Sequence, residues 1–328
     1  MADRIVILDG YTLNPGDISW ESFAQLGDLT VYDRSTPGEI VERSSAAAVL
    51  ITNKAMLSAD IIQQLHTLKY IGITATGTNV VDIEAATSGG VVVTNVPAYG
   101  PESIAQHTIA LMLELTNHVG GNSQAVKSGR WAVCPDFSFS VSPIVELAGK
   151  QIGVVGLGAI GSRVAQIAAA LGMNISAYDP KVAGAFKIPG TEIAWLDLDD
   201  LFAQSDVVTL HCPLTEETRE LVNARRLALM KPTALLINAA RGPLIDERAL
   251  CDALRSESIA GAAVDVVSIE PPAEGNILID NTRCLVTPHV AWAARESRQR
   301  LLQGAADNLR GYLNGVPKNV VNPDAFDR

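Results

Sequence analysis

The sequence predicts an α/β protein built as two doubly wound parallel-sheet domains, and three observations carry that prediction. Short runs of Val, Ile and Leu alternate with longer stretches of helical period from end to end, as βαβ construction requires. The length, 328 residues, exceeds one typical core and suits two. Hydrophobic residues make up 48% against 19% charged, the balance of a packed protein rather than a disordered one.

In the first part, strands are expected over 4–9 ("RIVILD"), 29–33 ("LTVYD"), 47–52 ("AAVLIT"), 68–74 ("LKYIGIT") and 90–95 ("GVVVTN"). Each is a short, branched run bounded by turn residues. The stretch "NVPAYGP" reads as a hinge or boundary. Residues 99–119 then read as a long helix opening at a proline, with Ile104, Ile109, Leu111 and Leu115 on its buried face. The second part offers strands at 151–156, 175–179, 206–211, 234–239, 259–265 and 283–289, and a last helix over 296–313. If that helix packs back on the first domain, the domains are 1–98 plus 293–328, discontinuous, and 99–292.

Lys plus Arg number 25 and Asp plus Glu 36, a net charge of −11. So acidic a surface repels phosphate backbones and anionic lipid, which argues against nucleic acid and membrane as partners. An anionic substrate would need positive charge placed deliberately. Cys134, Cys212, Cys251 and Cys284 lie far apart, without a CxxC pair or metal-like His spacing, and read as free thiols in a reducing compartment with no metal. The start, "MADRIVILDG", carries no basic-then-apolar leader, and no apolar run approaches the roughly 18 residues of a membrane span. A cytoplasmic protein is expected.

"GVVGLGAIG" places Gly156, Gly158 and Gly161 in GxGxxG spacing between a strand and an Ala-rich helix. Glycine serves the tight turn, backbone approach to a pyrophosphate, and close helix–strand contact. Asp179 ends the next strand, 18 residues beyond Gly161, where a carboxylate can bind a ribose 2′-hydroxyl or simply close the turn in "YDPK". An acid there favours NAD over NADP, although Lys181 stands close by.

Ligands of open parallel sheets bind outside the carboxyl ends of the strands. Along those ends lie the glycines, Asp179, then His211, Cys212 and Pro213, then Asn238 to Arg241, then Asp265, then Pro288 and His289. Taken singly, Arg241 reads as a solvated loop residue, His289 as a strand-end histidine, and Glu270 as a carboxylate before a rigid Pro-Pro turn. Sharing one rim, they suit hydride chemistry on a 2-oxo acid. His289 can supply a proton to the developing alkoxide. Glu270, in "SIEPP", can hold the imidazole in its protonated form. Arg241 can clamp a carboxylate with its planar fork. The small Ala239–Ala240 pair leaves room for a nicotinamide, and Asn238 is expected to bond its local turn. In the first domain, "ITATGTNVVDI" turns at Ala75, Thr76, Gly77 and Thr78, where backbone N–H groups can face an anion. A cleft between the domains, with Arg241 on one wall and this turn on the other, would enclose a small carboxylate.

The motifs "TATGTNVVDIEAA", "VVGLGAIGSRVAQIAAALGMNISAYDP", "HCPLTEETRELVN", "MKPTALLINAARGPLIDERAL", "GAAVDVVSIEPP" and "VTPHVAWA" together resemble the D-isomer-specific 2-hydroxyacid dehydrogenase family over essentially the whole chain. The resemblance implies a flavodoxin-like substrate domain, a Rossmann NAD-binding domain, and reversible hydride transfer between NADH and a small 2-oxo acid. It puts Arg241, Glu270 and His289 in the catalytic positions. It assigns NAD to Thr76, Gly156, Gly158, Ala159, Ile160, Gly161, Asp179, Cys212, Ala239, Ala240, Arg241, Asp265, His289 and Ala291. Substrate falls to Lys54, Ala75, Thr76, Gly77, Arg241 and His289. It also implies a homodimer formed through the 99–119 helix and the following arm, whose residues 131–139 can line a partner's pocket.

"TNKAML", "ATGTNVVD", "VPAYGPESIAQHT" and "GRWAVCPDFSF" are most similar to the glycerate dehydrogenase / hydroxypyruvate reductase branch, which implies hydroxypyruvate or glyoxylate reduced to D-glycerate or glycolate. A D-lactate-type or phosphoglycerate-type reductase is the alternative within the family. The latter would bring more basic residues around the first-domain turn and, in many members, a regulatory domain. The family's formate dehydrogenases carry Gln where Glu270 stands. A different class, an NAD-sensing corepressor-like protein, is opposed by the intact Arg, Glu and His and by the acidic surface.

Overall fold

Every strand pairing in the two sheets of the computed structural model is parallel, which brings the carboxyl ends of each sheet's strands to one rim. The structure describes residues 3–182 and 187–325. The last three residues that the sequence reading gives to the first domain lie outside them. By contact density the chain divides into two units, Met1–Gly100 with Ala293–Arg328, and Pro101–Trp292.

The first unit holds β1 (Arg4–Ile7), β2 (Asp28–Val31), β3 (Val49–Thr52), β4 (Tyr70–Ile73) and β5 (Val92–Thr94) in the order β2-β1-β3-β4-β5, the flavodoxin-like arrangement. β1, β3 and β4 are buried almost throughout, hence their unbroken Val/Ile/Leu runs. The helix Arg295–Leu313 belongs here and buries Leu301, Leu302, Ala305 and Leu309. Its Tyr312 ring lies 4.9 Å from that of Tyr70. Beyond it, Val321 N–H donates to the Val93 carbonyl at 2.8 Å. The Asn322 amide accepts from Val93 N–H at 2.7 Å and donates to the Val91 carbonyl at 2.9 Å.

The second unit holds β6 (Gln151–Val155), β7 (Asn174–Tyr178), β8 (Ile193–Trp195), β9 (Val207–Leu210), β10 (Leu235–Asn238), β11 (Gly261–Val264) and β12 (Cys284–Val286). Their order is β12-β11-β10-β9-β6-β7-β8; from the β8 edge this is the dinucleotide-binding order 3-2-1-4-5-6 with a seventh strand added. Side chains alternate between two cores. Val155, Val208, Leu236 and Val264 enter one, while Val154, Val207, Ile237 and Ala263 enter the other.

The structure alters several expectations. Most strands are shorter than the apolar runs, above all at 283–289, where only Cys284–Val286 pairs and the chain leaves extended backbone at His289, whose φ is +53°. The long helix runs from Pro101 to Asn117 and stops at His118, whose φ is +50°. A second, unanticipated helix, Val119–Lys127, buries none of its residues. On the first of these helices Ile109 and Leu111 are buried as expected, whereas Ile104 and Leu115 are only half-buried. Ala105, Thr108, Met112 and Thr116 complete the inner face, at the i, i+3, i+4 spacing of a helical stripe. β8 was also unforeseen, being three partly exposed residues.

Asn322 is 6% exposed, so removing its amide strands buried backbone groups of β5 and its approach. Asn322→Ala is expected to destabilise the first unit by about 1–3 kcal/mol, read as a lower urea midpoint. An unchanged midpoint would contradict this account of the tail.

Candidate active site

The glycine turn after β6 separates packing needs from ligand needs. Gly156 has φ +90°, and a Cβ there would lie 2.7 Å from the Cys212 nitrogen; a Cβ on Gly161 would meet the Gly156 carbonyl oxygen at 2.0 Å. Both glycines are required by the fold itself. Gly158 is not: its φ is −73°, and nothing lies within 4 Å of the place its Cβ would take. The open space stands at the N-terminus of the helix Ala159–Ala170, whose free N–H groups and dipole suit a pyrophosphate. The turn fits the dinucleotide that its spacing implies. Ala159 and Ile160 form the first helical positions, and Asp179 follows β7. Its Oδ2 accepts from Leu157 N–H at 2.9 Å and its Oδ1 from Lys181 N–H at 2.9 Å. The carboxylate therefore braces the glycine turn while closing its own.

After β9 come His211 and Cys212, both largely withdrawn from solvent. His211 bonds Thr209 Oγ1 through Nε2 at 2.9 Å, while its Nδ1 is sealed without a partner among the described residues. Burial pushes its pKa down to about 3, so the ring is uncharged near neutrality. Burial pushes the Cys212 thiol up to about 11, and the charge of Asp179 adds to this effect.

β10 ends at the fully buried Asn238. Its Nδ2 donates to the Arg241 carbonyl at 2.8 Å and its Oδ1 accepts from Ala240 N–H at 3.0 Å. This closed turn buries Ala239 and leaves Arg241 exposed, where Nη1 donates to the Ala240 carbonyl at 2.7 Å. A Cβ on Gly242 would lie 2.1 Å from the Val267 carbonyl, so the Arg241 turn presses directly on the segment after β11. In that segment Glu270 Oε1 accepts from Val267 N–H at 3.1 Å. Glu270 Oε2 lies 2.6 Å from His289 Nδ1, with the two side chains 31% and 28% exposed. A carboxylate facing Nδ1 makes that nitrogen the donor.

Asp265 follows β11 and is 1% exposed. It accepts from Thr287 Oγ1 at 2.6 Å, Val290 N–H at 2.9 Å and Ala291 N–H at 2.8 Å. Its own carbonyl accepts from His289 N–H at 2.8 Å. Burial alone would raise its pKa. Hydrogen bonds from His107, Thr287, Ala291 and Val290 outweigh burial and hold the carboxyl below its ordinary range. His107 was not singled out from the sequence, because a histidine within a helix carries no local mark of a partner far along the chain.

The first unit has its own rim. Its strand order reverses between β1 and β3, the point where ligands of such sheets bind. There Asp9 accepts from the N–H groups of Asn53 at 2.9 Å, Lys54 at 2.5 Å and Ala55 at 2.8 Å, and Lys54 is left exposed. Asn53 Nδ2 donates to the Thr74 carbonyl at 2.5 Å. The turn at Ala75, Thr76 and Gly77 is tied down by Val96 N–H to the Ala75 carbonyl at 3.0 Å and by Asn95 Nδ2 to the Thr76 carbonyl at 2.7 Å. Asp9 also escaped the sequence reading, although an acid directly after a strand ("RIVILDG") is a usable sign.

A family model described as "D-isomer specific 2-hydroxyacid dehydrogenase, NAD binding domain" matches residues 109–291. The chain is 43% identical over 325 residues to the hydroxypyruvate reductase of Blautia hydrogenotrophica, covering 97% of this chain and 99% of that one. It is 40% identical over 324 residues to the glycerate dehydrogenase of Methylorubrum extorquens, covering 98% and 99%. Among solved structures it is similar to the NAD-complexed D-isomer specific 2-hydroxyacid dehydrogenase of Lactobacillus delbrueckii ssp. bulgaricus, with a TM-score of 0.77, 26% identity, and 97% and 100% of the two chains covered.

Because the folded Asp265 carboxyl titrates below the ordinary carboxylate range, its ionised form stabilises the fold above that range, and the benefit fades as pH falls from there through the lowered folded pKa. The stability gap between the parent protein and Asp265→Asn should stay constant from about pH 7 to 5 and narrow below about pH 4. Urea titrations at stepped pH check this, and a gap that widens on acidification would refute it.

Proposed function

The chain belongs to the D-isomer specific 2-hydroxyacid dehydrogenases, NAD-dependent oxidoreductases of the CH–OH group, and from that premise we propose that it reduces hydroxypyruvate or glyoxylate to D-glycerate or glycolate. The observation that carries the reading is the 2.6 Å His289–Glu270 pair on the rim that also bears Arg241 and the glycine turn. The substrate class follows the names of the relatives at 43% and 40% identity.

Bound NADH supplies the hydride to C2. The chain's own groups manage charge and protons. With Nδ1 engaged by Glu270, the His289 imidazolium presents Nε2 and gives its proton to the oxygen on which negative charge develops. Glu270 offsets the imidazolium charge and fixes the ring's tautomer. Arg241 takes the substrate carboxylate through its fork and polarises the neighbouring carbonyl. Gly156, Gly158, Ala159, Ile160 and Gly161 hold the pyrophosphate, and Asp179 the adenosine ribose. Cys212, Ala239, Ala240, Asp265 and Ala291 complete the cofactor positions of this unit, and Thr76 is the cofactor position proposed in the first unit. Lys54, Ala75, Thr76 and Gly77 are the first unit's substrate positions. The unit Pro101–Trp292 is accordingly the cofactor unit, and the other the substrate unit.

A homodimer is part of the proposal. The helix Val119–Lys127 buries none of its residues, and the arm after it exposes Trp131 at 53%, Val133 at 83%, Phe137 at 90% and Ile144 at 59%. So much apolar surface on an acidic protein marks a protein interface, and a second copy is the simplest occupant. Four free cysteines suit the reducing cytoplasm.

Steady NADH oxidation with hydroxypyruvate and glyoxylate, compared with pyruvate and 3-phosphohydroxypyruvate, tests the substrate. Oxidation with none of them, or a clear preference for either of the last two, defeats it. Arg241→Ala is expected to lower kcat/KM for the oxo acid by about 100-fold or more while KM for NADH stays within about threefold; equal losses would remove Arg241 from the substrate. Glu270→Gln weakens the acceptor that orients the His289 ring through Nδ1, so kcat for reduction is expected to fall about tenfold or more while KM for NADH stays within about threefold. An unchanged kcat, or an equal loss in KM for NADH, would contradict the role given to Glu270.

A further inference from the structure

The segment carrying His289 has an unusual backbone and is held from outside. His289 has φ +53°, a left-handed conformation that a non-glycine residue does not favour by itself. Something outside the segment must hold it there. Two side chains of the helix Pro101–Asn117 reach it. Ser103 Oγ donates to the Ala291 carbonyl at 2.6 Å. His107 Nε2 lies 3.1 Å from Thr287 Oγ1 and 3.4 Å from Asp265 Oδ1. Ser103 and His107 are four residues apart, so they share one face of the helix in successive turns.

The hydrogen count assigns the proton. Thr287 has one hydroxyl hydrogen, and at 2.6 Å it is committed to Asp265 Oδ1, since an ionised carboxylate only accepts. Towards His107 the hydroxyl can then only accept, so Nε2 carries the hydrogen and is shared between Thr287 and Asp265. The same Asp265 carboxylate accepts the amides of Val290 and Ala291. One donor on the helix thus secures the acceptor that grips the chain on both sides of His289.

We infer that His107 is a positioning residue for the reaction, acting through Asp265 and Thr287 to fix the backbone that aims the His289 imidazole. The inference rests on His289 being the proton donor. Removing the Nε2–H leaves Asp265 Oδ1 one donor short and frees the Thr287 hydroxyl to turn. The clamp then slackens where the imidazole is attached, not where the dinucleotide pyrophosphate is held. Turnover should suffer more than cofactor affinity.

The test compares His107→Phe, which keeps a ring but has no donor, with His107→Gln, whose amide still offers an N–H. His107→Phe is expected to lower kcat about tenfold with KM for NADH within about threefold. It should also speed hydrogen exchange at the Val290 and Ala291 amides by about tenfold or more relative to β11, and His107→Gln should recover most of both. Should His107→Phe fail to fold, His107→Asn, whose amide is too short to span the gap, takes its place. Unchanged exchange at Val290 and Ala291, or equal losses in the donor and non-donor variants, overturns the inference. A parent enzyme that reduces no 2-oxo acid overturns the functional reading instead, and the exchange rates still decide whether His107 holds the clamp.

Discussion

Strands paired in one direction give a sheet a single carboxyl rim, and the chemistry of the second unit depends on that constraint. Segments from Gly156 to His289 need no local attraction to meet; each has only to follow a buried strand of the right register. The two cores set that register. Sliding β10 by one residue would carry Leu236 into the core of Ile237 and Ile237 into that of Leu236, so every side chain would face the wrong layer. With the strands so fixed, the next residue along the chain has a defined place, and that is where Asp265 and the Arg241 turn begin.

Beyond the strands, the loops are shaped repeatedly by one device. Asp9, Asp179 and Asp265 each follow a strand, and each accepts backbone N–H groups from a neighbouring loop. A carboxylate has lone pairs for several donors, and charge strengthens each bond. Such a residue can hold irregular backbone that has no ladder of its own. Asn238 does the same for the Arg241 turn with a neutral amide. Gly242 then lets that turn lie against the Val267 carbonyl, joining the arginine's loop to the loop of Glu270.

What was legible in the sequence was whatever is fixed by local order. The glycines, Asp179, Arg241, Glu270 and His289 stand at set distances after apolar runs, so a linear reading finds them. His107 is different: its partners Asp265 and Thr287 lie some 160 to 180 residues onward, and only packing unites them. The helix Val119–Lys127 was hidden because "VGGNSQAVK" has weak helix formers and no apolar stripe. On the helix before it, large residues drew attention, while Ala105, Thr108 and Thr116 share the inner face with Ile109, Leu111 and Met112. Strand ends were overestimated because apolar runs outlast the paired segments, as at 283–289, where pairing is confined to Cys284–Val286.

The tail that returns to the first sheet has a consequence for how the chain is made. Synthesis delivers the N-terminal residues first, yet Tyr70 awaits Tyr312 and the amide of Val93 awaits Asn322. Residues 101–292 are contiguous and leave the ribosome with all seven strands of their sheet before that happens. The unit that starts first therefore finishes last, holding an unfinished surface while its neighbour is translated. A chain cut short anywhere between 293 and 322 would retain the contiguous unit and forfeit closure of the one translated earliest.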